Sequence, residues 1–325
     1  MSRSAVIHVI EPGMFTTVQD LGRPGWTQFG VPRGGAADAL SLRIGNRLVG
    51  NEDGAAGLEL TLVGGAFEFT RELVVALTGG DVEARVEGSG RQRVVPMWAA
   101  FEVRSGERLV TGPVRSGTRT YVCVRRGVQA PMRLGSRSTH PAASFGGHEG
   151  RALRRGDALE IGEGVRSRER HGAAAAEAVQ VSQFARDVLA RRELRAVGGA
   201  HMRLFEPSTV EAFWGATFEV SLNTDRTGVR LTGRIGAGAC GGRLPSEGMM
   251  HGAVQVPESG EPILLGVDHP TTGGYPVMAC VIAADLPVVG QLRPRDRVRF
   301  VQVDRAEARV LYTAQERRLN AEIPS

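Results

Sequence analysis

Two stretches of the chain hold reactive and polar residues at a density that an ordinary strand-and-turn scaffold does not need. The longer set comprises Asn223-Thr-Asp-Arg226-Thr-Gly-Val-Arg230, then Ser246-Glu247-Gly, then Gly252-Ala-Val-Gln255-Val-Pro, and closes on Asp268-His-Pro-Thr271-Thr272-Gly273-Gly274-Tyr275-Pro. Arg226 and Arg230 stand four apart. Strand side chains alternate with period two, so the spacing predicts two guanidinium groups on one face, a fork for a carboxylate or phosphate. Glu247 and Asp268 offer two carboxylates for proton transfer once the fold brings them together. Gln255 and the Thr271–Tyr275 run add an amide, hydroxyls and glycine N–H groups, the material of an oxyanion or phosphate pocket. The bland alternative is a set of barrel turns tied by buried ion pairs.

The second stretch is Thr17-Val-Gln19-Asp20-Leu-Gly-Arg23-Pro-Gly, continuing through Phe29-Gly-Val-Pro-Arg-Gly-Gly35 to Asp38. Gly and Pro separate its polar groups, so backbone and side chains can both approach a ligand. Gln19, Asp20 and Arg23 are its candidate substrate contacts. The bland alternative has Asp20 and Asp38 capping local backbone.

Other motifs exclude more than they suggest. Gly236-Ala-Gly238-Ala-Cys-Gly241 matches GxGxxG, but Arg243-Leu-Pro-Ser follows it, with no helix pattern, so a loop is expected rather than a dinucleotide site. The seven His residues show no metal-binding spacing, and no metal is predicted. Cys123, Cys240 and Cys280 are odd in number and lack CxxC spacing, which argues against a disulfide framework or a zinc site. All 40 basic residues are Arg. Without Lys, the chain can form neither a Schiff base nor a P-loop contact nor a biotinyl-lysine, so biotin and any Lys-dependent ATP site would have to come from another chain.

The elements that must position these residues read as strands. Short β-rich runs such as 5–10, 73–77, 121–124, 217–222, 263–267 and 298–303 are bounded by turn formers, and 44 glycines are scattered among them. An apolar–basic–x–x–acid–x–apolar frame occurs at 103–109, 153–159 and 292–298, which suits a turn feeding the next strand. Helices are expected only at 37–48, with Leu40, Ile44 and Leu48 on one face, and at 181–192, with Phe184, Val188 and Leu189. At 325 residues, two domains are expected, 1–165 and 180–325, joined by an exposed connector at 166–179. Net charge is +5, but acidic residues are mixed throughout, no basic stripe carries aromatics, and no apolar run reaches membrane length. A cytoplasmic protein that binds neither nucleic acid nor membrane is expected.

Taken together, these stretches resemble the KipA-type family, also called the biotin-dependent carboxyltransferase family, allophanate hydrolase subunit 2 or the C-type subunit family of 5-oxoprolinase. Its most specific pieces here are Pro12-Gly-Met-Phe-Thr-Thr-Val-Gln-Asp-Leu-Gly-Arg23, Asn46-Arg-Leu-Val-Gly-Asn51, Asp225-Arg226 with Gly228 and Arg230, Ser246-Glu-Gly, Gly252-Ala-Val-Gln-Val-Pro and Pro270-Thr-Thr-Gly-Gly-Tyr-Pro, in that order along nearly the whole chain. The chain departs from the family pattern at Arg295, where Gly is expected, and at His251. The resemblance implies two cyclophilin-like β-barrel domains with few short helices. It also implies a subunit of a 5-oxoprolinase that uses ATP as co-substrate, works with A-type and KipI-type (B-type) partners, and is inactive alone. Two alternatives remain open: a carboxyltransferase component acting on urea or a similar amide with carboxybiotin, and a non-catalytic regulator that binds a KipI-type kinase inhibitor. Whatever the reaction, the missing Lys makes one firm prediction. Mass spectrometry of the intact chain co-expressed with a biotin ligase will show no covalent biotin.

Overall fold

The computed structural model describes residues 6–162, 175–235 and 244–324. These form two compact units: residues up to Arg23 with Gly34–Arg186 and Leu319–Ser325, and Pro24–Arg33 with Asp187–Arg318. The expectation of a mainly β protein is borne out, with a partly open sheet in the first unit and a closed barrel in the second. The GxGxxG segment and most of the expected connector lie outside the described residues.

The first unit contains β1 (Val6–Glu11), β2 (Phe15–Gln19), α1 (Ala39–Leu48), β3 (Gly57–Thr61), β4 (Ala66–Phe69), β5 (Leu73–Gly88), β6 (Arg91–Val94), β7 (Ala100–Val103), β8 (Arg108–Val124) and β9 (Ala158–Glu160). Among the described residues its sheet has nine strands, ordered β2-β3-β8-β4-β1-β9, with β5 lying along β8 and carrying β6 and β7 on its far edge. The long β5–β8 pair runs from Val75↔Val124 to Glu87↔Arg108 and shifts register between Gly79 and Ala84. Such bulges bend a strand and raise its twist, so one ribbon can curl around the core. That core is the alternating apolar face of the strands, including Ile7, Val18, Leu58, Phe67, Phe69, Val75, Leu77 and Val122. Helix α1 forms where the 3.6-residue pattern places it. Asp38 caps it by accepting from Ser41 N at 2.9 Å, and Leu40, Ile44 and Leu48 are buried.

Arg47, on the last turn of α1, reaches a part of the chain far away in sequence. Its Nε and Nη2 clasp Asp53 at 2.5 and 2.9 Å. Its Nη1 donates to Asn320 Oδ1 at 2.9 Å and to the Ile323 carbonyl at 2.8 Å, while Leu319 and Ile323 are buried in the same unit. Sequence patterning gives no warning of this, because Leu319 and Ile323 stand singly among polar residues at the end of a mostly polar stretch.

Helix α2 (Ala175–Leu189) lies mostly in the first unit, and the second unit contains β10 (Glu193–Gly198), α3 (Pro207–Gly215), β11 (Phe218–Val220), β12 (Gly228–Thr232), β13 (Glu247–Gly248), β14 (Ala253–Gln255), β15 (Ile263–Leu265), β16 (Thr272–Gly273), β17 (Val277–Val281), α4 (Leu286–Val289), β18 (Arg297–Gln302) and most of α5 (Arg305–Glu322). The barrel closes in the order β10-β17-β14-β15-β12-β11-β18, and β13 pairs with β16 as a separate ribbon. β10 and β18 run parallel, from Glu193↔Arg299 to Ala196↔Gln302, and so seal the ring. Phe213 of α3 plugs it, stacked on Phe300 with ring centroids 4.8 Å apart. Helix α2 overlaps the expected second helix, with Phe184 and Val188 buried. The sequence pattern does not predict α3 or α5. Only Leu319 of the 18 residues of α5 is buried, so it presents no apolar stripe to detect. No helix among the described residues is long and apolar enough to cross a membrane.

The thrice-repeated frame is one turn built three times. Glu107, Asp157 and Asp296 each accept, through a side-chain oxygen, the N–H of the basic residue three positions back, at 2.9, 2.8 and 3.0 Å. The residue before each acid is left-handed: Gly106 at φ 80°, Gly156 at φ 90° and Arg295 at φ 74°. Arg295 therefore keeps the turn's shape at a conformational cost, since a residue with a Cβ is disfavoured there by about 1–2 kcal/mol. Arg295→Gly is expected to raise unfolding free energy by about 0.5–1 kcal/mol in a urea titration. An unchanged or lowered midpoint would show that the turn is not strained.

Candidate functional site

The pairing register of the second unit sorts the expected site residues into two groups at opposite ends of short strands. Gly228 pairs with Leu265, so Arg226 and Asp268 lie just beyond that end of the barrel. Gln255 pairs with Ile263 and Val277 and lies at the other end. The ribbon of β13 and β16 carries Glu247 opposite Gly273.

At the first end, Arg226 and Asp268 form a buried bidentate pair: Nε to Oδ2 at 2.7 Å and Nη2 to Oδ1 at 3.1 Å, with side chains 8% and 5% exposed. Asp268 N also donates to the Arg226 carbonyl at 3.0 Å, which locks the two segments at both backbone and side chain. Arg230 does not join them. Arg226 sits in a turn before β12 begins, where Asp225 Oδ1 accepts from Thr227 N and Gly228 N at 2.7 and 3.1 Å. The period-two argument therefore does not reach Arg226. Arg230 is on the strand's exposed face, and the expected fork does not form.

Two histidines that the spacing argument passes over stand at this end. Gly252 N donates to Leu265 O at 2.9 Å, so β14 enters beside the Asp268 segment with His251 leading it. Burial, together with the positive ends of His269, Arg33 and Arg226, pushes the His251 pKa down to about 3, with Asp268 opposing. His269 is also lowered, chiefly by burial, against the Pro270 carbonyl and Asp268. As a neutral ring its Nδ1–H donates to Pro270 O at 2.7 Å, leaving Nε2 as the acceptor.

At the other end, a third overlooked histidine completes a dyad. Val277 N donates to His201 Nδ1 at 3.1 Å, so the proton of a neutral ring lies on Nε2, which faces Glu247 Oε2 at 3.4 Å. Glu247 is half-exposed while His201 is 12% exposed, so the dyad has a wet side and an anchored side. Beneath it lies buried Gln255, whose Nε2 donates to Met249 Sδ at 3.3 Å and to Tyr275 O at 3.4 Å. The Thr271–Tyr275 run is tied to the ribbon rather than left as a bare loop: its middle is β16, and Met249 N donates to Thr271 O and Leu244 N to Gly274 O, at 2.9 and 2.8 Å. Gly273 lets the ribbon pass close to Gln255, since a Cβ there would come within 2.7 Å of Gln255 Nε2 and push that amide aside. Thr272 faces outward, and Thr271 and Tyr275 are half-buried.

In the first unit, the hydrogen bonds of Gln19, Asp20 and Arg23 turn inward. Asp20 Oδ1 accepts from Gly22 N at 2.8 Å, from the Ser136 hydroxyl at 2.6 Å and from the Ser138 hydroxyl; Oδ2 accepts from Arg137 N at 2.6 Å. Gln19 Nε2 donates to Thr17 Oγ1 at 2.9 Å and Thr139 O at 3.1 Å, and its buried Oε1 has no hydrogen-bond partner among the described residues. Arg23 is fully buried, donates to Ser138 O, and lies over the Phe145 ring at 4.9 Å. The three tie β2 to the 136–145 segment. Among the described residues there is no group of acids, His and Cys that could hold a metal ion.

This architecture matches known proteins along nearly its whole length. Residues 29–302 match the family model described as carboxyltransferase domain, subdomain A and B. The chain belongs to that carboxyltransferase-domain family. It is 37% identical to the C-type subunit of 5-oxoprolinase from Escherichia coli, over 93% of both chains. It is 32% identical to the urea amidolyase of Saccharomyces cerevisiae over 95% of this chain but only 17% of that one. Among solved carboxyltransferase-domain structures, the urea carboxylase of Kluyveromyces lactis superposes with a TM-score of 0.86 at 30% identity, over 99% of this chain and 30% of the other. A protein named TTHA0988 gives 0.79 at 33% identity, over 93% of this chain and 56% of the other. The carboxyltransferase fold thus occurs both as a separate chain and as a minor part of much longer ones.

The lowered histidines make a pH prediction for this carboxyltransferase domain. An unfolded His titrates near 6.5, whereas folded His251 resists its proton down to about 3. The unfolded state therefore binds more protons in that window, and stability, fully present above 6.5, falls as pH drops through it. His251→Gln is expected to flatten the fall in melting temperature between pH 6.5 and pH 4 relative to the unsubstituted chain. An equally steep fall in the variant would place the acid sensitivity elsewhere.

Proposed function

We propose that the chain is the C-type subunit of an ATP-dependent 5-oxoprolinase that opens 5-oxoproline to glutamate together with A-type and KipI-type (B-type) partners. The observation that carries this reading is the reciprocal 93% coverage of the corresponding Escherichia coli 5-oxoprolinase subunit at 37% identity. A lactam amide is a poor electrophile. Transfer of a phosphoryl group from ATP to its oxygen, with release of ADP, activates the ring carbon; water adds there and the C–N bond breaks to leave an acyl phosphate, which a second water hydrolyses to glutamate and inorganic phosphate. The second step needs a group that takes a proton from water and one that delivers a proton to the departing nitrogen.

The Glu247–His201 dyad suits that exchange. The carboxylate accepts from water, and the imidazole, held by Val277 N, orients it and keeps a proton beside it. Gln255 and the Thr271–Tyr275 ribbon supply amide and hydroxyl groups for the lactam. Arg226 and Asp268 act as a pair that shapes the far end of the barrel for His251 and His269. ATP enters as co-substrate of the complex, and biotin is not attached to this chain.

A second reading rests on the superposition with the Kluyveromyces lactis urea carboxylase at a TM-score of 0.86. It makes the chain an acceptor-side carboxyltransferase for urea or a related amide, with carboxybiotin delivered in trans. Adjacent genes for A-type and KipI-type subunits favour the first reading, and adjacent biotin carboxylase genes favour the second.

The experiment is 5-oxoproline-dependent ATP hydrolysis and glutamate release by the chain alone and with its co-expressed partners. Turnover is expected only with the partners. Glu247→Gln should lower kcat about ten- to hundredfold, equivalent to roughly 1.4–2.7 kcal/mol in the barrier, at unchanged melting temperature and partner binding. Arg226→Ala should instead lower the melting temperature, since it removes the bidentate partner of the buried Asp268 carboxylate at a cost of about 3–5 kcal/mol. Turnover by the purified single chain, or biotin-dependent urea carboxylation by the complex without 5-oxoproline turnover, would overturn the proposal.

A further inference from the structure

One cleft in the first unit lies apart from both the Gln19, Asp20 and Arg23 cluster and the residues at the barrel ends. It has a volume of about 1030 Å³ and lies between the β5–β6 hairpin and β7. This exceeds what a single carboxylate needs and is nearer the size of a nucleotide-sized ligand site. Ser89 at φ 49° and Gly90 at φ 74° make the tight turn that projects β6, and Arg91 and Arg93 pair back to Gly88 and Val86 of β5. Val74 and half-buried Phe101 form an apolar side.

The charges around the cleft are uneven. Arg91, Arg93, Arg104 and Arg125 line it, against Glu102 and Glu107. Glu107 is already engaged, accepting from Arg93 Nη2 and from Arg104 N, both at 2.9 Å. Arg93 Nη2 also donates to the Glu102 carbonyl at 2.6 Å, and Arg125 Nε to the Val49 carbonyl at 3.1 Å, so two guanidinium groups are held in place by backbone. The guanidinium groups of Arg91 and Arg104 have no ion-pair partner among the described residues, and neither has the Glu102 carboxylate. Guanidinium planes match phosphate oxygens two at a time. Arg93, held in this way, loses less freedom on binding than a mobile side chain would.

We propose that this cleft binds a phosphorylated small molecule carrying more than one phosphate charge, gripped by Arg91, Arg93 and Arg104 and resting on Val74 and Phe101. The site stands independently of the reaction proposed above, because binding is measured on this chain without partners. Glu102 is the one unmatched negative charge described in the cleft and opposes the ligand. Its removal is expected to tighten binding.

The test is calorimetric titration of the full chain with sodium tripolyphosphate, and with citrate as the carboxylate comparison, at about 0.1 M salt, where charges about 10 Å apart are already well screened. Saturable tripolyphosphate binding, at least tenfold tighter than citrate, is expected. Arg91→Ala/Arg104→Ala should weaken it about tenfold or more, and Glu102→Gln should strengthen it severalfold. Arg309→Ala, an exposed position on α5, should leave it unchanged. All four substituted residues are exposed, so circular dichroism should show folded variants. Absence of saturable tripolyphosphate binding, equal binding of citrate, wild-type binding by the double variant, or an equal loss in Arg309→Ala would each overturn the proposal.

Discussion

The parallel pairing of β10 with β18 is the constraint on which the second unit depends. Parallel neighbours cannot be joined by a tight turn, so the first and last strands of the unit must be brought side by side by everything between them. Once they meet, the barrel has no edge, and no strand can slip without turning its apolar residues outward. Strands of only three residues, such as β14 and β15, are held in register by that closure rather than by their own length. The same register decides which polar residues share a barrel end. It groups Arg226 with Asp268, His251 and His269, and groups Glu247 with His201 and Gln255.

Much of the scaffold is legible in the sequence because its signals are local. The α1 cap at Asp38, the apolar face of Leu40, Ile44 and Leu48, and the repeated acid-capped turn all act within a few residues. The turn at 292–298 shows how strong such local logic is: Arg295 adopts the left-handed shape that Gly106 and Gly156 take in the other copies. The same geometry in both units is more than the sequence frame alone could establish.

The candidate site is less legible, for reasons of distance. The Arg226/Arg230 fork relies on both residues belonging to one strand, and β12 starts only at Gly228. His201 is far from Glu247 in sequence, and nothing in its neighbourhood marks it; only the antiparallel return of β17 places Val277 N against its ring. The polar richness around Gln19, Asp20 and Arg23 is visible, but hydrogen bonding to Ser136, Ser138 and Thr139 decides its direction, and that pairing spans more than 110 residues. Buried polar groups must find partners, and sequence alone does not say whether the partner is a ligand or another loop.

The clamp of Arg47 on the 319–323 segment bears on how the protein is made. The first unit has its sheet once residue 160 has been synthesised, yet Leu319, Ile323 and the acceptors of Arg47 Nη1 arrive only after the whole barrel has been translated. At roughly 5–20 residues per second, the nascent first unit waits on the order of ten seconds or more with that apolar seat uncovered and Arg47 Nη1 lacking its protein acceptors. During that interval the chain is exposed to chaperones, proteases and neighbouring nascent chains. The barrel's emergence ends it, so completion of the later-made unit times the maturation of the earlier one.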